Sequence, residues 1–341
     1  MTHLDEGRCR LIPASDAGVW LSAIEGLPHD FGHRPEYALA ATAVTGLTTS
    51  LWSYAGESGR AACIVSLREA PGGFDIATPL GFAGFSIEGD VPGLGEAWTR
   101  DWLRRGAISA YVQLSPFLSP ERWRKLIPEL SDFLQPAQDC WCWDLRPDPD
   151  TLLAGMSSKH RQLLRKWLRE EAHVEWDQRV LLGHFNRIYA EFLERQAIAS
   201  IYHYGDSPLA LIASAPGSLM VGARNAQGEI EAVTLFLHAG TTADSFLNAA
   251  TPAGRRHSRG LYWLGMLRLR ELGVQVLNLG GGISPGDGLS DFKDRLGAAR
   301  SPTLALKQVF DRDRFVLACA AVGVTADETG YFPPWRRPGR P

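Results

Sequence analysis

The segment Val274–Leu296 reads VQVLNLGGGISPGDGLSDFKDRL, and it joins an apolar run to three consecutive glycines. The apolar, β-branched residues before the glycines predict a strand. Gly280, Gly281 and Gly282 have no side chains, so their backbone N–H groups can come close to a ligand. A short amphipathic segment follows, in which Lys293 stands directly after Phe292. A lysine at this distance can return to the end of the strand as a compact positive charge. The stretch therefore predicts a site where negative charge sits or develops.

A second interpretation of the same glycines stays open. Glycine runs after strands are often tight turns only, and this spacing matches neither G-x-G-x-x-G nor G-x-x-x-x-G-K-[ST]. Lys293 then becomes a surface lysine that extends over Phe292.

Composition narrows the class of protein. The 341 residues suffice for one large or two medium domains, and 45% hydrophobic with 21% charged residues is typical of a globular protein. A net charge of −3 does not indicate nucleic-acid binding, although a local basic face can still provide it. The N-terminus has no apolar signal segment and no run reaches the length of a membrane span, so we expect a soluble, cytoplasmic protein.

The five cysteines form no pattern of metal-ligand pairs. Cys140 and Cys142 are one residue apart on a predicted strand, side by side on one face. We interpret all five as buried or incidental thiols in a reducing compartment and expect no metal site.

Periodicity predicts a mixed α/β chain of two halves, each with helices, then a strand meander, then a strand–helix–strand crossover. The segment Arg146–Asp150, RPDPD, is the most linker-like in the chain. We therefore expect domains at residues 1–147 and 148–341. Helices are predicted at Pro35–Val44, Leu94–Gly106, Ser119–Leu130, Ser158–Ala172, Leu182–Gln196, Gly260–Leu272 and from Arg312; strands are predicted at Thr48–Tyr54, Arg60–Leu67, Ala107–Leu114, Asp139–Leu145, Leu219–Arg224, Ile230–His238, Thr242–Ala249 and Leu304–Phe310.

Several segments, taken in order, resemble the Fem-type aminoacyltransferases. The resemblance covers nearly the whole chain, and its most specific segment is Leu279–Lys293. The others are HDFGHRPEY (His29–Tyr37), FDIATPLGFAGF (Phe74–Phe85), MSSKHRQLLRKW (Met156–Trp167), the stretch from Arg195 to Tyr202-His203-Tyr204, and YFPPWR (Tyr331–Arg336).

The resemblance implies two tandem GNAT-like (acyl-CoA N-acyltransferase-like) domains, with the catalytic loop in the second. It also implies that an aminoacyl group is transferred from charged tRNA to a primary amine, with no bound cofactor. The family's catalytic lysine follows a phenylalanine and corresponds to Lys293 after Phe292. Two departures favour a small acceptor: the chain has no helical coiled-coil arm, and its loop Leu80–Gly84 lacks the tyrosines of many relatives.

An aminoacyl ester is already activated, so attack by an amine needs positioning and charge stabilisation rather than a covalent nucleophile. A fixed cation near the oxyanion and the leaving ribose oxygen serves this purpose, and Lys293 is the candidate. Asp287 and Asp291 lie in the same loop and could orient the amine or Lys293, or simply cap the loop.

The segment Ser158–Ala172 predicts a helix with a basic face. Leu163, Leu164, Trp167 and Leu168 occupy its apolar side. Such a face can contact phosphates of tRNA or of an acceptor, or be merely solvated. Its basic residues are Lys159, Arg161, Arg165, Lys166 and Arg169.

Further binding residues are expected around the acceptor and the donor. Arg255 and Arg256 precede a predicted helix, whose N-terminus attracts anions. The turn departs from the CoA-binding pattern [QR]-x-x-G-x-[GA], which leaves it available for tRNA or nucleotide phosphates. Arg195, Tyr202 and His203 fall where relatives shape the acceptor pocket, and Phe82 lies in the loop that departs from the family.

Three functions stay open at this point. The leading one is an aminoacyl-tRNA-dependent transferase that acts on a peptide-like or nucleotide-linked amine, from a natural-product or a peptidoglycan pathway. An acyl-CoA N-acyltransferase that uses acetyl-CoA to modify an amino sugar or another small amine is the alternative. The third is a non-catalytic binding module with the same fold. The sequence does not define the oligomeric state.

Overall fold

The computed structural model describes residues 8–170, 173–196, 203–282 and 288–337. The chain forms two compact units, one comprising residues up to Gln138 together with those from Pro302 onwards, the other Asp139–Ser301. This division differs from the expected boundary between residues 147 and 148. The reason is strand pairing, because a strand before the expected boundary joins the second sheet and a strand near the C-terminus joins the first.

Strands and helices are numbered here in chain order. The first unit contains β1 (Arg8–Pro13), α1 (Ala17–Ile24), α2 (Pro35–Thr45), β2 (Thr48–Ala55), β3 (Gly59–Ala70), β4 (Gly73–Ala77), β5 (Phe85–Gly89), α3 (Leu94–Arg104), β6 (Ala107–Gln113), α4 (Pro120–Leu126) and β7 (Leu134–Pro136). The second contains β8 (Cys140–Asp144), α5 (Pro149–Gly155), α6 (Ser158–Arg169), β9 (His173–Glu175), α7 (Gln178–Gln196), α8 (Asp206–Ser214), β10 (Ser218–Arg224), β11 (Ile230–Ala239), β12 (Thr242–Ala250), α9 (Ser258–Glu271), β13 (Val276–Asn278), α10 (Gly288–Arg295) and β14 (Ala299–Ser301). The chain then returns to the first unit with β15 (Leu304–Val309) and α11 (Arg312–Ala321).

The first sheet has the order β1-β2-β3-β4-β6-β15-β7, with β5 paired to β3 beside β4. Strands β4 and β6 are parallel, and the other pairs are antiparallel. On β15, Leu306 lies opposite both Val112 of β6 and Leu134 of β7. Its Leu304–Leu306 segment is buried, and this apolar run is why β15 occupies an interior position in the sheet.

Aromatic side chains fill the core of the first unit. Trp98 of α3 contacts Trp52 and Phe85 edge to face, with ring centroids 4.9 Å apart in both pairs. The indole nitrogens are satisfied, since Trp52 donates to Asp101 at 3.0 Å and Trp98 donates to Gln308 of β15 at 3.0 Å. These bonds satisfy the buried indole N–H groups of Trp52 and Trp98, whereas the N–H of the neighbouring buried Trp102 has no hydrogen-bond partner within the described residues.

Asp75 of β4 anchors the C-terminal segment of the chain. Its carboxylate is fully buried. It accepts Nε of Arg68 at 2.7 Å, Nη2 of Arg336 at 2.7 Å and Nε1 of Trp335 at 3.3 Å. Two guanidinium groups thus compensate one buried carboxylate, and they hold residues 334–336 on the first unit.

The second sheet has the order β14-β8-β13-β12-β11-β10-β9, and only the β12–β13 pair is parallel within the described residues. Helices α6 and α9 share a core with residues such as Trp143 and Leu277 on one face of this sheet. The helices pack closely because Gly260 of α9 faces Trp167 of α6, and a Cβ at Gly260 would lie 2.3 Å from the indole ring. The side of α6 that carries Trp167 therefore packs against α9.

Most predicted elements are confirmed, including both strand meanders and both parallel crossovers. The predicted helix Ser119–Leu130 is shorter, because Pro128 begins a separate 3₁₀ turn, Pro128–Phe133. The linker-like Arg146–Asp150 leads directly into α5, whose N-terminus is capped by Asp148. Helices α1, α5 and α8 and strands β1, β5, β7, β9 and β14 were not predicted.

Two further observations concern the described residues as a set. None of their helices is both long and apolar enough to cross a membrane. No three of their His, Cys, Asp or Glu side chains come together in a way that would hold a metal ion.

Candidate active site

The glycine run lies where β13 leaves the second sheet. Leu279 donates its N–H to Trp141 at 2.7 Å, and Gly280 accepts the N–H of Trp141 at 3.1 Å, so β8 guides the chain to this point. Gly280 has a φ of +75°, a left-handed conformation that favours glycine. Its own N–H donates to Oδ1 of Asn278 at 2.8 Å. The Asn278 side chain therefore already occupies this N–H, and the binding of substrate by the glycines stays a prediction.

Lys293 reaches back to the same glycines from α10. Its side chain is 3% exposed, and Nζ donates to the carbonyl of Gly281 at 2.5 Å. Nζ also lies 5.7 Å from the centroid of the Trp141 ring, and the ring is fixed by a 2.6 Å bond from Nε1 to Asp294. A carbonyl dipole and an aromatic face stabilise a cation away from bulk water. The structure thus holds an ammonium group at the end of the glycine strand.

Phe292, the residue before Lys293, packs against the helices α6 and α9. Its ring contacts His160 and Tyr262 edge to face, each with centroids 5.8 Å apart. Burial, together with Arg259 and Arg295, lowers the pKa of His160 to about 4, so His160 is neutral at physiological pH. Tyr262 accepts a 2.9 Å hydrogen bond from Ser245 of β12. Phe292 is thus a packing residue that fixes the first turns of α10 against α6 and α9.

A polar pair lies beside the glycine run on the neighbouring strands. Asp244 of β12 and Asn278 of β13 are direct partners in the parallel register. Nδ2 of Asn278 donates to Oδ1 of Asp244 at 2.8 Å. Burial raises the pKa of the Asp244 carboxyl to about 6, and the bond from Asn278 opposes part of this rise. Asp244 is therefore poised to exchange a proton near neutral pH.

Two thiols of β8 lie next to this pair. Burial raises the pKa of Cys142 to about 12, and it raises the pKa of Cys140 as well. Asp244 further raises the pKa of Cys140, whereas Lys293 lowers it. Both thiols are thus protonated at neutral pH and poor nucleophiles. Cys140 thus lies within electrostatic reach of both Asp244 and Lys293.

The structure brings some of the predicted catalytic and acceptor residues together and not others. Lys293, Phe292 and the three glycines meet in the second unit, whereas Phe82 lies half-buried in a loop of the first. Arg195 is exposed and donates from Nη2 to the carbonyl of Ala250 at 3.1 Å, at the end of β12. His203 is exposed. Asp287 and Tyr202 lie outside the described residues.

The predicted basic face is present on α6. Lys159, Arg165 and Arg169 are exposed, whereas Arg161 is half-buried and donates to the carbonyl of Ala154 at 2.8 Å. On the opposite side, Leu164 is buried and Trp167 is half-buried. The helix thus presents cations to solvent, but its packed side is narrower than predicted, because Leu163 and Leu168 of the predicted apolar side are exposed.

Arg255 and Arg256 lie in a 3₁₀ turn, Gly254–His257, just before α9. Both are exposed, but Arg256 is paired with Glu231 at 3.0 Å. Glu231 also accepts from Nε2 of the buried His257 at 3.2 Å, and Nδ1 of His257 accepts from Trp167 at 2.9 Å. Arg256 is therefore partly committed to fixing this turn.

Sequence reasoning missed Trp141, Asp244 and Asn278. Asp244 and Asn278 are single polar residues within strand-like segments, and the signal that could have found them is this break in apolar patterning. Trp141 stands between Cys140 and Cys142 on a predicted strand, and this position alone does not indicate a functional role.

Similarities to solved structures extend over most of the chain. A crystal structure of FemX is 12% identical to this chain, covers 91% of it and 99% of its own length, and has a TM-score of 0.68. The C-terminal domain of a putative lysylphosphatidylglycerol synthetase from Agrobacterium fabrum is 16% identical over 90% of this chain and 95% of that one, with a TM-score of 0.57. L-PGS from Bacillus licheniformis is 13% identical over 86% and 92%, with a TM-score of 0.55.

No family model matches the chain, and no curated protein matches it in sequence. The structural likenesses show the fold and confirm the expected Fem-like, tandem GNAT-like architecture with mixed sheets.

Proposed function

We propose that this chain, which has the fold of FemX, is an aminoacyltransferase that moves an aminoacyl group from charged tRNA to a primary amine. The product is an amide, and the acceptor is a peptide or a peptide-like molecule. One of the similar structures is named as the C-terminal domain of a putative lysylphosphatidylglycerol synthetase, and the segment around Lys293 resembles the Fem-type enzymes. Both point to acyl-group chemistry on this fold.

The buried ammonium of Lys293 is the observation that carries the proposal. Attack of an amine on an ester gives a tetrahedral oxyanion, and the leaving group is a ribose oxygen of the tRNA. A cation already fixed by Gly281 and Trp141 needs no reorganisation when this charge develops. The neighbouring thiols are protonated, so they do not offer a competing covalent route.

The exposed cations of α6 support tRNA as the donor. Lys159, Arg165 and Arg169 lie on one helix of the unit that contains Lys293. Contacts to phosphates would position the tRNA without reading its sequence. For acetyl-CoA, the donor in the alternative function, the pyrophosphate would have to lie at the turn before α9, where Arg256 is already paired with Glu231.

The test combines donor binding with transfer. Purified protein is incubated with a mixed charged-tRNA pool and, separately, with acetyl-CoA, at low and moderate salt. Transfer is then measured with O-methylhydroxylamine as a small amine probe. We expect salt-sensitive tRNA binding and faster formation of the amide than without protein.

Lys293→Ala should lower transfer by roughly 10²–10³-fold while tRNA binding stays close to wild type, because the lost group acts on the developing charge. Lys125→Ala is the matched control, since Lys125 is an exposed lysine of α4 in the other unit. Binding and turnover of acetyl-CoA without tRNA binding would overturn the proposal in favour of the alternative.

A further inference from the structure

Strands β12 and β13 part next to the glycine run. Their pairing covers Thr242–Asp244 and Val276–Asn278, and within the described residues it ends at the Asp244–Asn278 pair. Strand β12 continues to Ala250, whereas the chain after Asn278 follows β8 through Leu279 and Gly280. The Asp244–Asn278 pair therefore marks the point where the sheet opens beside Lys293.

Hydrogen bonds fix the side chain of Asn278 in one orientation. Its Oδ1 accepts the N–H of Gly280 at 2.8 Å, so its Nδ2 must be the atom that donates to Asp244 at 2.8 Å. The next glycine, Gly281, accepts Nζ of Lys293 at 2.5 Å. A short chain of hydrogen bonds and backbone thus joins the carboxylate to the ammonium across the glycine run.

The surroundings of Asp244 leave its carboxylate able to accept a proton. The residue is half-buried, so part of its surface stays accessible. Its partners on the neighbouring strands are the apolar Leu237 of β11 and the amide of Asn278, and the protonated thiols of Cys140 and Cys142 lie on β8, beyond β13. Within the described residues no arginine is bonded to it. Burial raises its pKa to about 6, which suits proton transfer near neutral pH.

Resting on the function proposed above, we infer that Asp244 is the general base that accepts a proton from the attacking amine, and that Asn278 is the positioning residue that holds it there. The site then comprises a base, Asp244, and a cation, Lys293, which are connected through Asn278 and the glycine run. It also assigns the acceptor amine to the opening between β12 and β13.

Asp244 takes up one proton during amine attack and releases one when the ribose oxygen leaves. The uncharged amine attacks the ester carbon, the new C–N bond forms, and one N–H proton moves to the free oxygen of Asp244. The carbonyl oxygen carries the negative charge beside Lys293. The C–O bond to ribose then breaks, and the ribose oxygen takes up one proton, which returns Asp244 to its ionised form. No oxidant or further reactant is needed.

The test is Asp244→Asn in the full chain, measured with charged tRNA and O-methylhydroxylamine, an amine that stays uncharged across the pH range used. The variant keeps an oxygen that can accept from Asn278, so the geometry is preserved. We expect kcat/KM to fall roughly 10²-fold or more, because general bases contribute typically 10²–10⁴-fold. The transfer rate of the wild type should decrease as the pH falls through about 6, whereas the rate of the variant should show no such decrease.

Stability separates a catalytic role from a structural one. The raised pKa of Asp244 means that the folded state disfavours the carboxylate above the unfolded pKa, so the variant should melt at a higher temperature at pH 8. Asp144→Asn is the matched control, because Asp144 lies on β8 but is exposed and paired with Arg146. It should keep wild-type transfer.

Two outcomes overturn the inference while leaving the proposed function intact. One is an Asp244→Asn variant that transfers at the wild-type rate. The other is a defect that disappears with N-acetylated aminoacyl-tRNA, because Asp244 would then bind the donor's α-ammonium rather than take the acceptor's proton. If the wild type transfers nothing, the proposed function itself fails and the inference fails with it.

Discussion

Lys293 and His33 are buried ionisable side chains whose partners suit opposite charge states, the charged form of Lys293 and the neutral form of His33. Lys293 has a carbonyl and an aromatic ring as partners. His33 has partners that suit the neutral ring, since Nδ1 accepts the N–H of Asp30 at 3.3 Å and Nε2 donates to Gly84 at 3.1 Å. Burial, with His29 nearby, lowers the pKa of His33 to about 4. The first is suited to charge stabilisation and the second to holding a loop.

The pKa of His33 predicts a pH dependence for the first unit. A histidine whose folded pKa lies below its unfolded value of about 6.5 stabilises the fold above pH 6.5, and this contribution is lost as the pH falls toward 4. Between pH 7 and pH 4.5 the wild type should lose about 2 kcal/mol through this residue. His33→Gln should lack that loss. Hydrogen exchange of Thr48–Ala70 peptides, corrected for intrinsic rates, measures it, and equal losses in both proteins would contradict the assignment.

At the scale of residues, the sequence predicted the partners that are close along the chain. Lys293, Phe292 and the glycines lie within one short segment, so spacing alone could indicate that they meet. Asp244 and Asn278 come together only through strand register. A shift of one residue would turn either side chain to the other face of the sheet, and nothing in the local sequence fixes that register.

Helix α6 shows how one element can carry both packing and binding. Its Trp167 lies against Gly260, and its exposed side carries Lys159, Arg165 and Arg169. Because Gly260 leaves no room for a Cβ, the rotation of α6 is set by packing. The cations therefore face solvent in a fixed direction.

This face predicts a defined salt dependence for tRNA binding. The double variant Arg165→Ala/Arg169→Ala should weaken binding at low salt and reduce the slope of log K against log salt by about two, roughly one for each lost phosphate contact. Arg122→Ala/Arg124→Ala on α4 is the matched control, with two exposed arginines in the other unit. Filter binding across a salt series measures both. An unchanged slope in the α6 variant would exclude this face from the tRNA site.

At the scale of elements, periodicity and turn residues predicted most boundaries within a few positions. The exceptions have local causes. Pro128 lacks an N–H and ends the regular helix that the apolar pattern extends to Leu130. Helix α8 begins after Gly205, and its largely apolar sequence carries little amphipathic signal.

The molecule as a whole depends on Asp75 to keep its C-terminal segment on the first unit. Asp75→Asn should leave Arg68 and Arg336 without their buried carboxylate, and it should destabilise that unit by about 3–5 kcal/mol. Hydrogen exchange should rise in peptides that cover β4, β15 and residues 331–337, and stay unchanged in β10–β12. Asp132→Asn, at an exposed aspartate of the same unit, is the control. Equal exchange in both variants would contradict the anchoring role.

The division of the chain was the part least accessible to sequence reasoning. Composition favours a boundary at RPDPD, and each half has the right elements in the right order. What the sequence does not display is that β8 pairs with β13 and β15 pairs with β6. Both strands are short apolar runs that would fit either sheet, and only the three-dimensional pairing distinguishes them.

The position of β15 also determines when the first sheet can be completed during synthesis. Val112 of β6 pairs with Leu306, so a ribosome must translate all of Asp139–Ser301 before the strand that fills the gap between β6 and β7 emerges. Until then β6 presents an open edge, the kind of surface on which nascent chains misassociate. All strands of the second unit are translated before β15, so this unit can complete its sheet first. The first unit, whose synthesis begins earlier, is therefore completed last.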